Sequence, residues 1–186
     1  MTAIPEPWHR FLSEVDRALS GPAEVHCLGA FVLTVLWELP RQTGDVDFIE
    51  IHPSGANDDL LRVAGEGSDL AKRFQLKFQR VHIAEYPEGY GSRLVDITPR
   101  SFRRLRLMAF EIHDLVLAKV ARFAPHDRDD IDFLVRKCAL DREVLKRRYE
   151  EELRPYVLNE TRYAVNLKLC LEELLGESGP DAPGTR

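Results

Sequence analysis

The chain has 186 residues, of which 44% are apolar and 31% are charged, and its formal net charge is −5. This composition is typical of a globular protein with a sizeable core, and the negative charge excludes a general attraction to nucleic acid or anionic membranes. No apolar run approaches the roughly 18 residues of a transmembrane helix, and the three widely separated cysteines indicate reduced thiols. We therefore expect a cytoplasmic protein without membrane contact.

The first 110 residues alternate between helical and strand patterns. Apolar residues at helical spacing predict a helix over residues 8–19, and a short strand follows at 25–28. The nearly continuous apolar run at 30–38 predicts a buried helix, and the alternation at 46–51 predicts a second strand. Further predictions are a helix near 57–64 and strands at 75–85, 93–98 and 104–110.

From residue 111 onward the apolar spacing is helical throughout. A helix is predicted at 112–123, and the aspartate-rich segment 126–130 is interpreted as a loop and the start of the next helix. Asp141 is a candidate cap for a third helix, and Asn159 or Thr161 for a fourth.

Together these elements predict an α/β (α+β) fold with a mixed sheet flanked by helices and a C-terminal helical extension. The expected organisation is an α/β core at 1–110, a helical part at 111–175 packed on this core, and a disordered tail at 176–186. The tail is expected to be disordered because it is rich in glycine and proline.

The strongest chemical signal lies between the first two strands. Asp45 and Asp47 alternate in a strand, so their carboxylates share one face and repel each other unless a cation lies between them. Asp96 lies between strand residues and is a candidate third carboxylate, since paired divalent ions need several such ligands. Gly29 precedes a helix and permits close approach of the backbone to phosphate groups. No spacing of histidine and cysteine indicates zinc.

These residues carry a resemblance to a known superfamily. The segments Leu28-Gly29-Ala30-Phe31-Val32-Leu33 and Pro40-Arg41-Gln42-Thr43-Gly44-Asp45-Val46-Asp47 resemble the nucleotidyltransferase signature. Later segments, Asp114-Leu115-Val116-Leu117-Ala118-Lys119-Val120-Ala121-Arg122 and His126-Asp127-Arg128-Asp129-Asp130-Ile131, are similar to the uncharacterised bacterial group (DUF6036-like) related to the AbiEii abortive-infection toxins.

The resemblance implies a nucleotide site with a divalent ion, Mg²⁺ or Mn²⁺. It implies the following roles: Asp45, Asp47 and Asp96 as metal ligands and catalytic residues, Gly29, Ala30, Arg41, Thr43 and Lys119 as nucleotide contacts, and Arg122, Asp127 and Asp130 as supporting residues. The chain departs from the family at Ala30, where glycine or serine is usual. That departure removes a hydroxyl donor near the phosphates.

Several of these residues also have a purely structural interpretation. Asp45 and Asp47 are also explained by a turn and a solvated strand face, and Lys119, on an apolar helix stripe, either extends to the rim or meets a buried acid. Asp127 and Asp130 are explained by the start of a helix or by ion pairs with Lys119 and Arg122.

Two functions from different classes follow from the sequence. The first is transfer of NMP from NTP to an unknown acceptor, RNA (including tRNA) or protein, in a toxin-like enzyme. The second is a weak or inactive nucleotidyltransferase-fold protein that binds or regulates a partner, as in a toxin–antitoxin pair. The oligomeric state stays open. One basic run is either a solvated strand face or a patch for a polyanion such as tRNA: Arg100, Arg103, Arg104 and Arg106.

Overall fold

The computed structural model describes residues 4–174 and residue 176. These residues divide into two compact units. The first unit contains the residues up to 84 together with 90–111, and the second contains 85–89 together with the residues from 112 onward. The predicted disordered tail at 176–186 lies outside the described residues, apart from Gly176.

The first unit is built on a five-stranded mixed sheet with the strand order β3-β2-β1-β5-β4. Strand β1 pairs antiparallel with β2 and parallel with β5, β2 pairs parallel with β3, and β4 pairs antiparallel with β5. The α/β prediction, with a mixed sheet flanked by helices, is therefore confirmed. The elements in chain order are α1 Trp8–Ala18, β1 Ala23–Leu28, α2 Ala30–Trp37, β2 Asp45–His52, α3 Ala56–Ala64, α4 Asp69–Phe74, β3 Lys77–Arg80, β4 Val95–Asp96 and β5 Leu105–Ala109.

One face of the sheet is apolar and buried. Val46 and Phe48 on β2 lie on this face, and Phe78 of β3 is paired with Val46 and packs against Phe48 with ring centroids 6.2 Å apart. Phe11 of α1 contacts Phe78 at 6.1 Å and is fully buried. Because side chains alternate along each strand, the opposite face receives the polar residues of β1 and β2.

A bulge in β2 changes that alternation. Cys27 of β1 is paired with Phe48, but the residue before it, His26, is paired with Glu50. Ile49 is therefore an extra residue on β2. The extra residue returns Ile51 to the buried face and leaves Glu50 on the same face as Asp47.

Asp16 of α1 fixes the beginning of β5. Its Oδ1 accepts hydrogen bonds from the backbone N–H groups of Arg103, Arg104 and Leu105 at 2.9, 2.7 and 2.8 Å. Burial works to raise the pKa of Asp16, but the three hydrogen bonds outweigh it and hold the pKa below its usual value.

The second unit is helical, as its periodicity predicts. Asp141 and Asn159 cap helices as expected, each accepting backbone N–H bonds through its side chain. Its core contains Tyr149 and Tyr163, whose rings stack at 5.0 Å, and the Tyr163 hydroxyl donates to the Leu117 carbonyl at 2.7 Å. The helices are α5 Ile112–Arg122, α6 Pro125–Lys137, α7 Arg142–Arg148 and α8 Glu160–Leu169, with wider helical turns at Tyr149–Leu153 and Cys170–Leu174 and a 3₁₀ turn at Arg154–Tyr156.

Three boundaries differ from the sequence-based predictions. The strand predicted at 75–85 is limited to Lys77–Arg80, and the strand predicted at 93–98 to Val95–Asp96, preceded by the 3₁₀ turn Glu88–Arg93. Residues 126–130 lie inside α6, because Pro125 occupies its first turn, where a missing N–H costs nothing. In the described part of the chain, no helix is both long and apolar enough to cross a membrane.

Candidate nucleotide and metal site

Gly29 joins β1 to α2 in a conformation that essentially only glycine adopts, with φ 80° and ψ −165°. A Cβ atom at this position would lie 2.5 Å from Oδ2 of Asp47. The Asp47 carboxylate is therefore packed against the backbone at the N-terminal end of α2. The first N–H groups of a helix have no partner within the helix and carry partial positive charge, so this junction suits anions. Ala30 is the first residue of α2 and half-buried.

Asp45 and Asp47 share the polar face of β2, as the alternation predicts. On the neighbouring strand β3, Lys77 is paired with Asp45, and Gln79 with Asp47. The Lys77 Nζ lies 3.7 Å from Oδ1 of Asp45, and it also binds Glu66. The hydrogen bond with Glu66 and the charge of Asp45 raise the pKa of Lys77 above its usual value. Asp45 thus has a cationic neighbour supplied by the protein.

Asp96 lies apart from these two aspartates. It is on β4, three strands from β2 in the sheet order, and three strand spacings amount to about 14 Å. Its carboxylate accepts the Thr98 N–H at 2.9 Å and pairs with Arg106 at 3.2 Å. Burial works to raise the pKa of Asp96, but the hydrogen bonds from Thr98 and Arg106 hold it below the usual value. The structure does not bring Asp96 to Asp45 and Asp47.

A cavity of about 780 Å³ adjoins the start of β2. Its size is within the range of small-molecule sites. Arg41 and Thr43, both predicted nucleotide contacts, line it, and so does Gly44, which directly precedes Asp45. The lining also includes Thr34 and Val35 of α2 and the segments 5–8, 38–40 and 74–76. Gly29, Ala30 and the two aspartates are outside this lining, so the cavity and the Asp47–Gly29 contact are neighbouring features.

In the second unit, Lys119 meets buried acids, one of the two interpretations of its position. Its Nζ binds Oδ2 of Asp130 at 2.7 Å and lies 3.9 Å from Oδ1 of Asp127. Arg122 forms two hydrogen bonds with Asp127, at 2.7 and 2.8 Å. Lys119, Asp127 and Asp130 are all buried. Because both acids lie on α6, these ion pairs hold α5 to α6.

The basic run is partly engaged within the protein. Arg106 binds Glu24 at 2.8 Å and Asp96 at 3.2 Å, and the Arg104 guanidinium donates to the Arg17 carbonyl at 2.9 Å. Arg100 and Arg103 are exposed, as are the other two arginines. The four arginines therefore do not form a uniform basic surface.

A further group on the polar face of the sheet was not predicted from the sequence. His26, Glu50 and His52 have donor atoms that all lie within 4.8 Å of one another. Burial lowers the pKa of His26, and the nearby Glu24 carboxylate acts in the opposite direction. The histidines are 26 positions apart in the sequence, so no local motif connects them. Pairing of adjacent strands is the signal that relates them.

The mixed sheet with flanking helices, the glycine at the strand-to-helix junction and the paired aspartates on the next strand define a nucleotidyltransferase-like domain. A family model described as "Nucleotidyltransferase of unknown function (DUF6036)" matches residues 17–174. The chain belongs to this family, and the resemblance seen in the sequence is confirmed. Comparisons with curated proteins and with solved structures gave no significant match.

Proposed function

We propose that the protein transfers NMP from an NTP to an acceptor hydroxyl group in a reaction that depends on Mg²⁺ or Mn²⁺. The observation that carries this proposal is the contact between Asp47 and Gly29. It joins a carboxylate able to hold a divalent ion to a helix N-terminus able to receive phosphate oxygens. Family membership supports the same class of reaction.

The residues present suit a magnesium ion that is held jointly by protein and substrate. Mg²⁺ in nucleotide enzymes is commonly bound through one or two carboxylates together with substrate phosphates, and Asp45 and Asp47 supply two on one face. A bound ion would neutralise negative charge on the triphosphate and on the departing pyrophosphate. Because Asp96 is three strands away, the proposed ligand set contains Asp45 and Asp47 only.

The chain's own groups then have separate tasks. The N-terminal N–H groups of α2, beginning with Ala30, receive the phosphate oxygens, and the glycine at position 29 keeps this approach open. Arg41 and Thr43 orient the remainder of the nucleotide in the cavity that they line. In the transfer, the acceptor hydroxyl loses its proton to water and its oxygen bonds to the α-phosphorus, the bond from that phosphorus to the bridging oxygen breaks, and pyrophosphate leaves.

The acceptor is proposed to be a hydroxyl group of RNA, such as tRNA, or of a protein, as expected of a toxin-like enzyme. All four arginines of the basic run are exposed, but Arg104 and Arg106 bind groups within the protein, so Arg100 and Arg103 are the residues proposed to meet a polyanionic acceptor. We propose a cytoplasmic location, where NTP and Mg²⁺ are both supplied.

The test is labelling of total tRNA and of total protein from each of the four α-labelled NTPs, with Mg²⁺ or Mn²⁺. Asp47→Asn should reduce labelling at least 100-fold, because it removes a charge from the proposed ligand set. The matched control is Asp58→Asn, an exposed aspartate outside the site. Equal labelling by wild type and Asp47→Asn would remove the proposed mechanism.

A second candidate function is favoured by the residues on β3. Lys77 pairs with Asp45, and its positive charge reduces the attraction of this carboxylate for a divalent ion. A protein of this kind would bind nucleotide for regulation, as in a toxin–antitoxin pair, without catalysing transfer. Calorimetry distinguishes the two: the enzyme should bind NTP tightly only with Mg²⁺, whereas the regulatory protein should bind NTP equally with and without the ion.

A further inference from the structure

The group formed by His26, Glu50 and His52 lies on the polar face of the sheet, where β1 and β2 are paired. His26 and Glu50 are direct cross-strand partners, and His52 follows two residues later on β2. The Nε2 atom of His52 lies 3.3 Å from Oε2 of Glu50, and Nδ1 of His26 lies 3.9 Å from the same oxygen. The two imidazole ring centroids are 5.1 Å apart. Three donors from two strands therefore converge.

These separations are those of ligands around one small ion. Zn²⁺ bound tetrahedrally at about 2.0–2.1 Å to nitrogen and oxygen places neighbouring donors about 3.3 Å apart. The observed 3.3 and 3.9 Å, with all three donors within 4.8 Å, need only small side-chain adjustments to reach this geometry. Two imidazoles and a carboxylate are a donor set for zinc or a similar transition metal, whereas Mg²⁺ prefers oxygen ligands.

The surroundings of His26 orient it for this role. Its Nε2 faces a carboxylate oxygen of Glu24 at 3.5 Å, and Glu24 is itself held by Arg106 at 2.8 Å. A carboxylate accepts only, so in the tautomer with Nε2 donating to Glu24 the lone pair of Nδ1 is left for an ion held between Nδ1 and Glu50. A histidine whose other ring nitrogen donates to a carboxylate is the usual arrangement at metal sites. The Tyr90 hydroxyl lies 3.1 Å from Nδ1, and in this tautomer it is the donor to that lone pair.

We propose that His26, Glu50 and His52 form a binding site for a divalent transition metal ion of the zinc class. The site is distinct from Asp45 and Asp47, because its ligands are the residues of β2 beyond the bulge and the facing residue of β1. His52 and Glu50 are substantially exposed, with side-chain exposures of 57% and 45%, so the ion has access from solvent. A fourth position is left to water or to a further ligand.

Bound metal fixes β1 to β2 and so stabilises the first unit. An ion that binds only the folded chain, present at about 100 times its dissociation constant, should raise the Tm by roughly 5–10 °C for a chain of this size. The increase in Tm should depend on the three ligands, and Mg²⁺ should not produce it.

The experiment uses the full chain after treatment with a chelator and dialysis, titrated with ZnCl₂ by calorimetry and with CoCl₂ by visible absorption. Wild type should bind one Zn²⁺ at this site, and the cobalt complex should show the absorption of a tetrahedral ion. His52→Ala should weaken Zn²⁺ binding at least 100-fold. The exposed His52 is chosen because replacing the buried His26 endangers folding.

Three further variants and a competition with Mg²⁺ complete the test. His82→Ala, at an exposed histidine outside the group, should bind Zn²⁺ as wild type does. Asp47→Asn should also retain this binding, and a large excess of Mg²⁺ should not displace the ion. Tyr90→Phe should tighten binding about fivefold, because metal then no longer competes with one hydrogen bond to Nδ1. Equal Zn²⁺ affinity in His52→Ala and His82→Ala, or the lack of binding in wild type, would overturn the proposal.

Discussion

The junction at Gly29 allows a stringent test of the candidate site, because one added methyl group strains the backbone and displaces a proposed ligand. In Gly29→Ala the new Cβ would lie 2.5 Å from Oδ2 of Asp47 and 3.2 Å from its Cβ. The second distance concerns an atom close to the backbone of β2, so rotation of the carboxylate relieves only part of the clash. The φ of 80° adds strain that does not depend on Asp47.

The cost can be divided into these two parts. A residue other than glycine in this backbone region costs about 1–3 kcal/mol, and inserting a methyl group into a packed site costs about 1–3 kcal/mol. We therefore expect Gly29→Ala to lower the free energy of unfolding by about 3 kcal/mol. In an Asp47→Ala background the 2.5 Å clash with the carboxylate is gone, while the backbone strain and the 3.2 Å contact with the Cβ of residue 47 remain, so the same substitution should cost about 1–2 kcal/mol less.

Urea denaturation of the four variants of this cycle measures the free energies, and NTP labelling measures the effect on activity. Gly21→Ala is the matched control, since a Cβ there would meet no atom within 4 Å. The control should be neutral or slightly stabilising. If Gly29→Ala and Gly21→Ala unfold at the same urea concentration and label equally, the close contact between Gly29 and Asp47 is not a feature of the protein in solution.

Three further predictions concern charged groups. Lys119→Met should lower the free energy of unfolding by about 3–5 kcal/mol by leaving a buried carboxylate without its cation, whereas the exposed Lys146→Met should cost less than about 1 kcal/mol; both are read from urea denaturation. Asp16→Ala should cost about 3 kcal/mol at neutral pH. Folding lowers the pKa of Asp16, so this contribution to stability is present at pH values above the usual pKa of 3.8. It is lost as the pH falls through the lower pKa of the folded state, so the denaturation curves of wild type and variant should converge in acid. Lys77→Met removes the ammonium 3.7 Å from Asp45 and should lower the Mg²⁺ concentration for half-maximal labelling about fivefold; an unchanged requirement would show that this lysine does not oppose the ion.

The sequence predicted the features that depend on neighbours in the chain. The run from β1 through Gly29 and α2 to β2 was expected with boundaries that differ by one or two residues, because its periodicity changes at a glycine and again at a polar turn. The position of Lys119 on an apolar stripe left two possibilities, extension to the rim or contact with a buried acid, and the structure shows the second, with Asp130 as the acid. Both inferences used only spacing along one segment.

Features that depend on strand order were not predictable in this way. Asp96 was a candidate ligand because strand residues flank it, but which strand neighbours β2 is decided by the packing of the whole sheet. The contact of Lys77 with Asp45 arises from the parallel pairing of β2 and β3, whose connection contains two helices. The group around His26 likewise results from pairing across β1 and β2.

The extra residue in β2 also determines which face of the sheet receives the side chains that follow it. Ile49 interrupts the alternation of side chains. Asp45 and Asp47 before it have odd numbers and Glu50 and His52 after it have even numbers, yet all four side chains lie on the same face. Deleting Ile49 would remove the bulge and leave Asp45, Asp47, Glu50 and His52 on one face of a regularly alternating strand. Regular pairing with Ile49 still present would instead turn one of these two pairs into the apolar layer. A graft of residues 45–52 onto a regular hairpin, which has no bulge, would therefore carry only half of these donors to the intended side.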